Sequence, residues 1–176
     1  METQLGRHPR DRLRVAVVSQ GGKRAVSEFR QVGQAAWGED LVFSLVEARL
    51  HTGRTHQVRV HLAHVGLPVV GDPVYGRKRV PESARGLLTG VEHQLLHAWR
   101  LGFDHPEDMG SNDKRRVIVD HPPPSDFRAV LERLGLPTSP PMSWSRDMRV
   151  TITATAVESS SAGICATRPS PMVSSA

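Results

Sequence analysis

A chain of 176 residues is long enough to bury a core and by default forms one domain, yet only 38% of it is hydrophobic and 5% aromatic, so part of the length is expected to lie outside that core. The net charge of +5 with neutral histidines and a pI near 10.3 fit a polyanionic partner, RNA foremost, with a merely solvated basic surface as the competing reading. One cysteine, Cys165, excludes a disulfide framework within the chain and suits a reducing cytosol, no run of about 18 apolar residues offers a membrane span, and the polar, Arg-rich stretch from Met1 to Arg14 lacks the apolar segment of a secretory signal.

In chain order, Arg14–Ser19 reads as a short strand, Gly21-Gly22 as a turn and Arg24–Val32 as the returning strand. Leu41–Leu50 carries Leu41, Phe43 and Leu45 on one face and Val42, Val46, Ala48 and Leu50 on the other, so it is expected to lie centrally in a sheet. Thr52-Gly53 breaks that strand. A short helix is predicted from Thr55 to Val65, ended by Gly66, with Val58, Leu62 and Val65 on one stripe. Arg59 and Ala63 fall beside the stripe and His56 beyond them, an arrangement that presents Arg59 sideways toward a cleft.

Leu67–Tyr75 is a loop through Pro68, Gly71, Asp72 and Pro73, followed by a basic loop with Arg77, Lys78, Arg79 and Arg85. Leu95–Phe103 alternates as a strand, Asp104–Gly110 turns, and Arg116–Val119 is its partner strand. Ser125 or Asp126 caps a last helix whose apolar positions are Phe127, Val130, Leu131 and Leu134, with Gly135 as its stop. From residue 137 to 176 the chain is rich in Ser, Thr, Pro and Ala and reads as a low-complexity, mostly disordered tail, with Val150–Val157 as a possible stray strand. The expected class is α+β: residues 1–136 form a sheet with a few short helices, and residues 137–176 form the tail.

Four histidines, His51, His56, His61 and His64, invite a metal reading. Zinc sites gather three or four ligands at short spacing, and here no Glu or Cys accompanies them and His56 lies on a different helical face from His61 and His64, so no metal is expected. No GxSxG elbow or Gly-rich phosphate loop occurs, and Cys165 sits in the tail. Asp72, between Gly71 and Pro73, reads first as a turn-former whose carboxylate bonds local backbone, with a nucleophilic role as the alternative. Arg54 and Arg59 lie around a short helix after a central strand, where an arginine can pair bidentately with a carboxylate or a phosphate; on composition alone both read as surface arginines.

The stretch Gly53-Arg54-Thr55-His56-Gln57-Val58-Arg59-Val60-His61 and the later Val70-Gly71-Asp72-Pro73-Val74-Tyr75-Gly76 together resemble the arginine-bearing region of the RluA/RluD-type RNA pseudouridine synthases. Further pieces resemble the family in order over Gly6 to Leu134: Gly6-Arg7-His8-Pro9 with Asp11-Arg12, Lys23–Phe29, Leu96-His97-Ala98, and Phe103-Asp104-His105-Pro106. The resemblance implies part of a pseudouridine synthase catalytic domain with a mixed or antiparallel sheet. It also implies conversion of uridine to pseudouridine in structured ribosomal or transfer RNA, without metal or organic cofactor, in the cytoplasm.

By the same resemblance Arg59 is the arginine that pairs with the family's catalytic aspartate, and Leu96 lies beside the target base. Arg54, His56, Gln57, Arg77 and Lys78 contact the RNA, and Tyr75 is structural and distinct from the family's pocket tyrosine. The HRLD-type motif that carries the aspartate does not occur in these 176 residues. The chain is therefore expected to be inactive alone, with Arg59 lacking a carboxylate partner and the edges of Leu41–Leu50 unpaired. Two other readings stay open here: a non-catalytic RNA-binding module and a non-functional gene fragment.

Overall fold

The computed structural model describes residues 1–39, 41–76, 82–108, 110, 112–139 and 149–158. Its strands are β1 (Glu2–Arg7), β2 (Val15–Val17), β3 (Lys23–Trp37), β4 (Leu41–Leu50), β5 (Leu96–Asp104), β6 (Arg116–Asp120) and β7 (Arg149–Glu158). The helices are α1 (Gln57–His64), α2 (Glu82–Arg85) and α3 (Ser125–Arg133), with a 3-10 turn at Pro106–Asp108. The strands form one sheet in the order β2-β1-β3-β4-β7-β5-β6, and every pairing among the described residues is antiparallel.

The expected strands and helices are present, with ends moved by a few residues. Two differences matter. β1 forms in the polar N-terminal stretch, where no apolar alternation announces it; it is held by pairing with both β2 and β3 and by the Met1 amino group donating to Ser27 O at 2.7 Å. The returning strand β3 runs on to Trp37, because a bulge between Gln31 and Gly33 lets the long strand bend while it keeps its register with β4.

β4 is central, as its two apolar faces require, but its edges are not open as expected. It pairs with β3 on one side and with β7 along its whole length on the other, from Leu41↔Glu158 to Leu50↔Arg149. β7 then pairs with β5. The strand that bridges the two halves of the sheet thus comes from the 137–176 region, at the position of its one Thr-rich, β-prone stretch.

Helices cover both faces of β4. On one face Leu41, Phe43 and Leu45 pack with Phe127, Val130, Leu131 and Leu134 of the α3 region and with Leu87 and Leu95. On the other, Ala48 packs with Val58 and Leu62 of α1 and with Val69, with Leu50 and Leu96 beside them. Glu47 is also buried in β4 and is paired with Arg30 of β3. Gly66 and Gly135 end α1 and α3 as expected: both take positive φ, and the next residue's N–H reaches back to a helix carbonyl, Leu67 to Leu62 and Leu136 to Leu131.

α1 departs from its expected amphipathic stripe. Residues Gln57 through Leu62 are all buried, while Val65 is 48% exposed. The helix is wedged between two apolar clusters, since Val60 packs with Leu5, Ala25 and Tyr75 on the side away from Ala48. A helix so placed has no solvent face along most of its length, and its polar side chains must find partners inside the protein. Among the described residues no helix is long and apolar enough to cross a membrane.

Candidate functional site

Gln57, the first residue of α1, is 3% exposed and fully engaged. Its side-chain oxygen accepts from Thr52 Oγ1 and the Arg54 N–H, and its amide nitrogen donates to Val26 O and Ser27 Oγ. The residue expected to contact RNA therefore ties the start of α1 to β3 in this structure. Arg54 is exposed, with Nε donating to Arg24 O at 3.0 Å. Leu96 is half-buried against Ala48, Val58, Leu62 and Val69. Arg77 and Lys78 lie outside the described residues.

His61 is fully buried between β1 and β3. Ser27 Oγ accepts from Gln57, which leaves its own proton for His61 Nδ1 at 3.1 Å, and His61 Nε2 meets Thr3 Oγ1 at 2.8 Å. Both ring nitrogens are satisfied in the neutral imidazole. Burial, the Met1 amino group and His64 push its pKa down to about 4.

Arg59 lies two residues after Gln57 in α1 and is only 9% exposed. Contrary to expectation it has a carboxylate partner: Nε donates to Asp72 Oδ2 at 2.7 Å and Nη2 to Asp72 Oδ1 at 2.8 Å. Asp72 is also the turn-former read from its neighbours, because Oδ1 accepts the Val74 and Tyr75 N–H groups at 2.9 and 3.0 Å. The turn closes with Gly76 N–H on Asp72 O, and a Cβ at Gly76 would stand 2.2 Å from that oxygen, so only glycine fits there. Gly71 has φ +74 and lets the loop pass against His93 O. Burial raises the Asp72 carboxyl, but Arg59 and the two backbone N–H groups outweigh it and hold the group below its ordinary value. The hydrogen bonds that Arg59 donates to Asp72 hold it firmly charged.

Tyr75 roofs this pair. The Arg59 guanidinium lies 5.0 Å from its ring centroid, and that of Arg14, just before β2, lies 5.1 Å away. The Tyr75 hydroxyl accepts the Val15 N–H at 3.0 Å and has its own proton to offer His56 Nδ1, also at 3.0 Å. His56 caps α1 in the left-handed conformation at φ 56, a conformation that costs a β-carbon-bearing residue on the order of 1 kcal/mol. Burial, and then the charge on Arg59, depress its pKa and favour the neutral ring. Tyr75→Phe is expected to destabilise the chain by about 1–2 kcal/mol, because it leaves the Val15 N–H unsatisfied. Thermal melting checks this, and an unchanged midpoint would mean that water replaces the hydroxyl.

The arrangement is a buried, singly charged guanidinium with three walls: the Asp72 carboxylate, the Tyr75 ring and the half-buried imidazole of His56. Arg14 was not expected here. Its Nε is buried without a hydrogen-bond partner among the described residues, and the only hint in the sequence is an arginine directly before an apolar strand.

The model of the RNA pseudouridylate synthase family matches residues 1–64, which end with α1 and include Arg54, His56, Gln57 and Arg59. Over 139 residues the chain is 38% identical to a ribosomal large subunit pseudouridine synthase D of Neisseria meningitidis serogroup B, covering 77% of this chain and 34% of that protein. It is 37% identical over 140 residues to the protein of the same name from Nitrosomonas europaea, covering 79% and 38%. It is 41% identical over 134 residues to an uncharacterized RNA pseudouridine synthase of Chloroflexus aurantiacus, covering 76% and 37%. No solved structure matches. The chain belongs to the RluA/RluD-type pseudouridine synthase family. It spans about a third of the length of the curated relatives it matches.

Proposed function

We propose that this chain forms the arginine-bearing part of an RNA pseudouridine synthase site and works on a uridine in structured RNA, ribosomal RNA foremost. The observation that carries this reading is Arg59: it is buried and charged, with Nε and Nη2 spent on Asp72 and no hydrogen bond to Nη1 among the described residues. A guanidinium has five N–H donors, so the edge bearing Nη1 can take a second carboxylate.

That carboxylate is the reaction's aspartate, supplied by a segment outside these 176 residues. Asp72 is poorly suited to the role, since its Oδ1 already accepts three hydrogen bonds and each one stabilises the unreactive anion. In the reaction the glycosidic bond breaks, the uracil turns and it is rejoined through carbon. A base buried in folded RNA must first be flipped out, at a cost of a few kcal/mol, and contacts from a basic surface to the phosphates offset that cost. Arg54, His56, Leu96, Arg77 and Lys78 are proposed to face the RNA, in a cytoplasmic setting.

The test is tritium release from ribosomal and transfer RNA labelled at uridine C5. This chain alone is expected to release none. Release is expected when the part of the Neisseria meningitidis relative that the chain does not match is added. Arg59→Ala should then abolish release while bulk RNA binding stays within a small factor. Release by this chain alone would place the carboxylate inside it and defeat the reading. Steeply salt-dependent RNA binding with no release in any combination would favour a non-catalytic RNA-binding module instead.

A further inference from the structure

The site contains more constraint on Arg59 than a structural ion pair requires. Asp72 grips the guanidinium side-on with both oxygens, through Nε and Nη2. The carboxylate cannot swing, because the Val74 and Tyr75 N–H groups hold Oδ1 and the turn is closed by Gly76. The guanidinium plane is pressed by the Tyr75 ring, which is itself fixed through its hydroxyl to Val15 N–H and His56. Asp72 and Tyr75 are thus each held by backbone, and between them they hold the Arg59 side chain. Two of the three guanidinium nitrogens bond Asp72, and the edge with Nη1 has no hydrogen bond among the described residues.

We infer that Asp72 is a positioning residue: it fixes the orientation of the Arg59 guanidinium so that the Nη1 edge meets the carboxylate that arrives from the other part of the site. The inference rests on the function proposed above. A free arginine samples many rotamers, and freezing it as the carboxylate arrives costs entropy that a preset clamp has already removed. A misplacement of about 1 Å in such a group can lower a rate about a hundredfold. Asp72 also neutralises the charge of Arg59 itself before assembly, so the incoming carboxylate meets an ion pair at Arg59 rather than a bare cation. Orientation, more than net charge, is then what Asp72 contributes.

Asp72→Asn separates the two roles of the side chain. The Asn oxygen still accepts from Val74 and Tyr75 N–H, which keeps the turn, while its amide turns N–H donors toward the Arg59 Nε–H and breaks the clamp. In the chain complemented as above, kcat for tritium release is expected to fall about a hundredfold with KM within about twofold, and Asp72→Glu to recover part of it. Adding Asp72→Asn to Arg59→Lys should cause little further loss, because both act through one contact.

A second readout needs no activity. In this chain the Arg59 Nε–H should be protected from solvent exchange by nitrogen-edited NMR, with the signal assigned by its loss in Arg59→Lys. That protection should fall at least about tenfold in Asp72→Asn while the Tyr75 backbone N–H stays protected. If Asp72→Asn does not fold, Asp72→Glu takes its place, with altered Arg59 protection and lowered kcat expected at unchanged KM. Unchanged Arg59 protection, or a kcat at the wild-type level, overturns the inference. A wild-type chain that never gains activity on complementation while Arg59 protection depends on Asp72 would instead overturn the proposed function and leave the clamp standing.

Discussion

A chain that stops at Ser139 is expected to lose its cooperative fold and to partition largely into aggregates. The deletion removes β7, which pairs with β4 from Leu41 to Leu50 and, on its other side, with β5 at Leu96, His97, Ala98 and Arg100. No other strand among the described residues joins β4 to β5. Without it, ten residues of β4 present an open row of N–H and C=O groups next to the buried Phe43 and Leu45, the kind of edge that templates intermolecular pairing. The loss of β7 also removes the ladder that ties β4 to β5, so the two parts of the sheet are no longer held to one another by strand pairing. Thr153→Pro, at the residue paired with both Val46 and Leu96, is a milder form of the same lesion, since proline is excluded from central strands. Solubility and the sharpness of thermal melting of the two variants are the measurements. A shortened chain that stays soluble and melts at the full chain's midpoint would show that β7 is dispensable.

The second large effect is acid destabilisation through His61. The folded protein holds this imidazole neutral with a pKa near 4, whereas an unfolded histidine titrates near 6.5. Between those values the unfolded state binds the extra proton, so stability rises with pH across that window. The full contribution is present above about pH 6.5 and is lost as the pH falls toward 4. Its size is about 3 kcal/mol, from the separation of the two values. Protonation would put a hydrogen on Nδ1, facing the Ser27 hydroxyl that now donates to it, and would place a charge among β1, β3 and α1. His56, depressed in the same direction, adds to the loss. Denaturant midpoints at pH 7 and pH 4.5 should differ clearly in the wild-type chain and much less in His61→Gln. A flat profile in the wild type would mean that His61 titrates in the fold as it does in the unfolded chain.

The family's motifs were legible before the fold was. The GRTHQVRVH stretch singles out Arg59 and the GDPVYG stretch marks Asp72 as a turn-former, and the family match bears out the resemblance drawn from the two stretches. The meeting of Arg59 and Asp72 was not legible. They are thirteen positions apart, and nothing in local propensity brings the side of a helix onto the turn after it; Gly71, Gly76 and the passage of the loop against His93 do that. Gln57 was expected to contact RNA, and the predicted core stripe of the helix held Val58, Leu62 and Val65 but neither Gln57 nor His61. They are interior, because α1 is enclosed by β1 and β3 on one side and by the end of β4 and Val69 on the other.

By itself the sequence determined the local features: the two-faced apolar strand Leu41–Leu50, the strand pair Leu96–Asp104 and Arg116–Asp120, the helix with Phe127, Val130 and Leu131 inward, and the glycines that stop α1 and α3. These follow from periodicity and backbone freedom over a few residues. Only the tertiary structure decided that β1 forms in a polar stretch, that β7 enters the middle of the sheet, that His61 is buried neutral and that Arg59 is clamped by Asp72. Each depends on partners distant in the chain, and hydrogen bonding among buried polar groups is a property of the assembled neighbours rather than of any single segment.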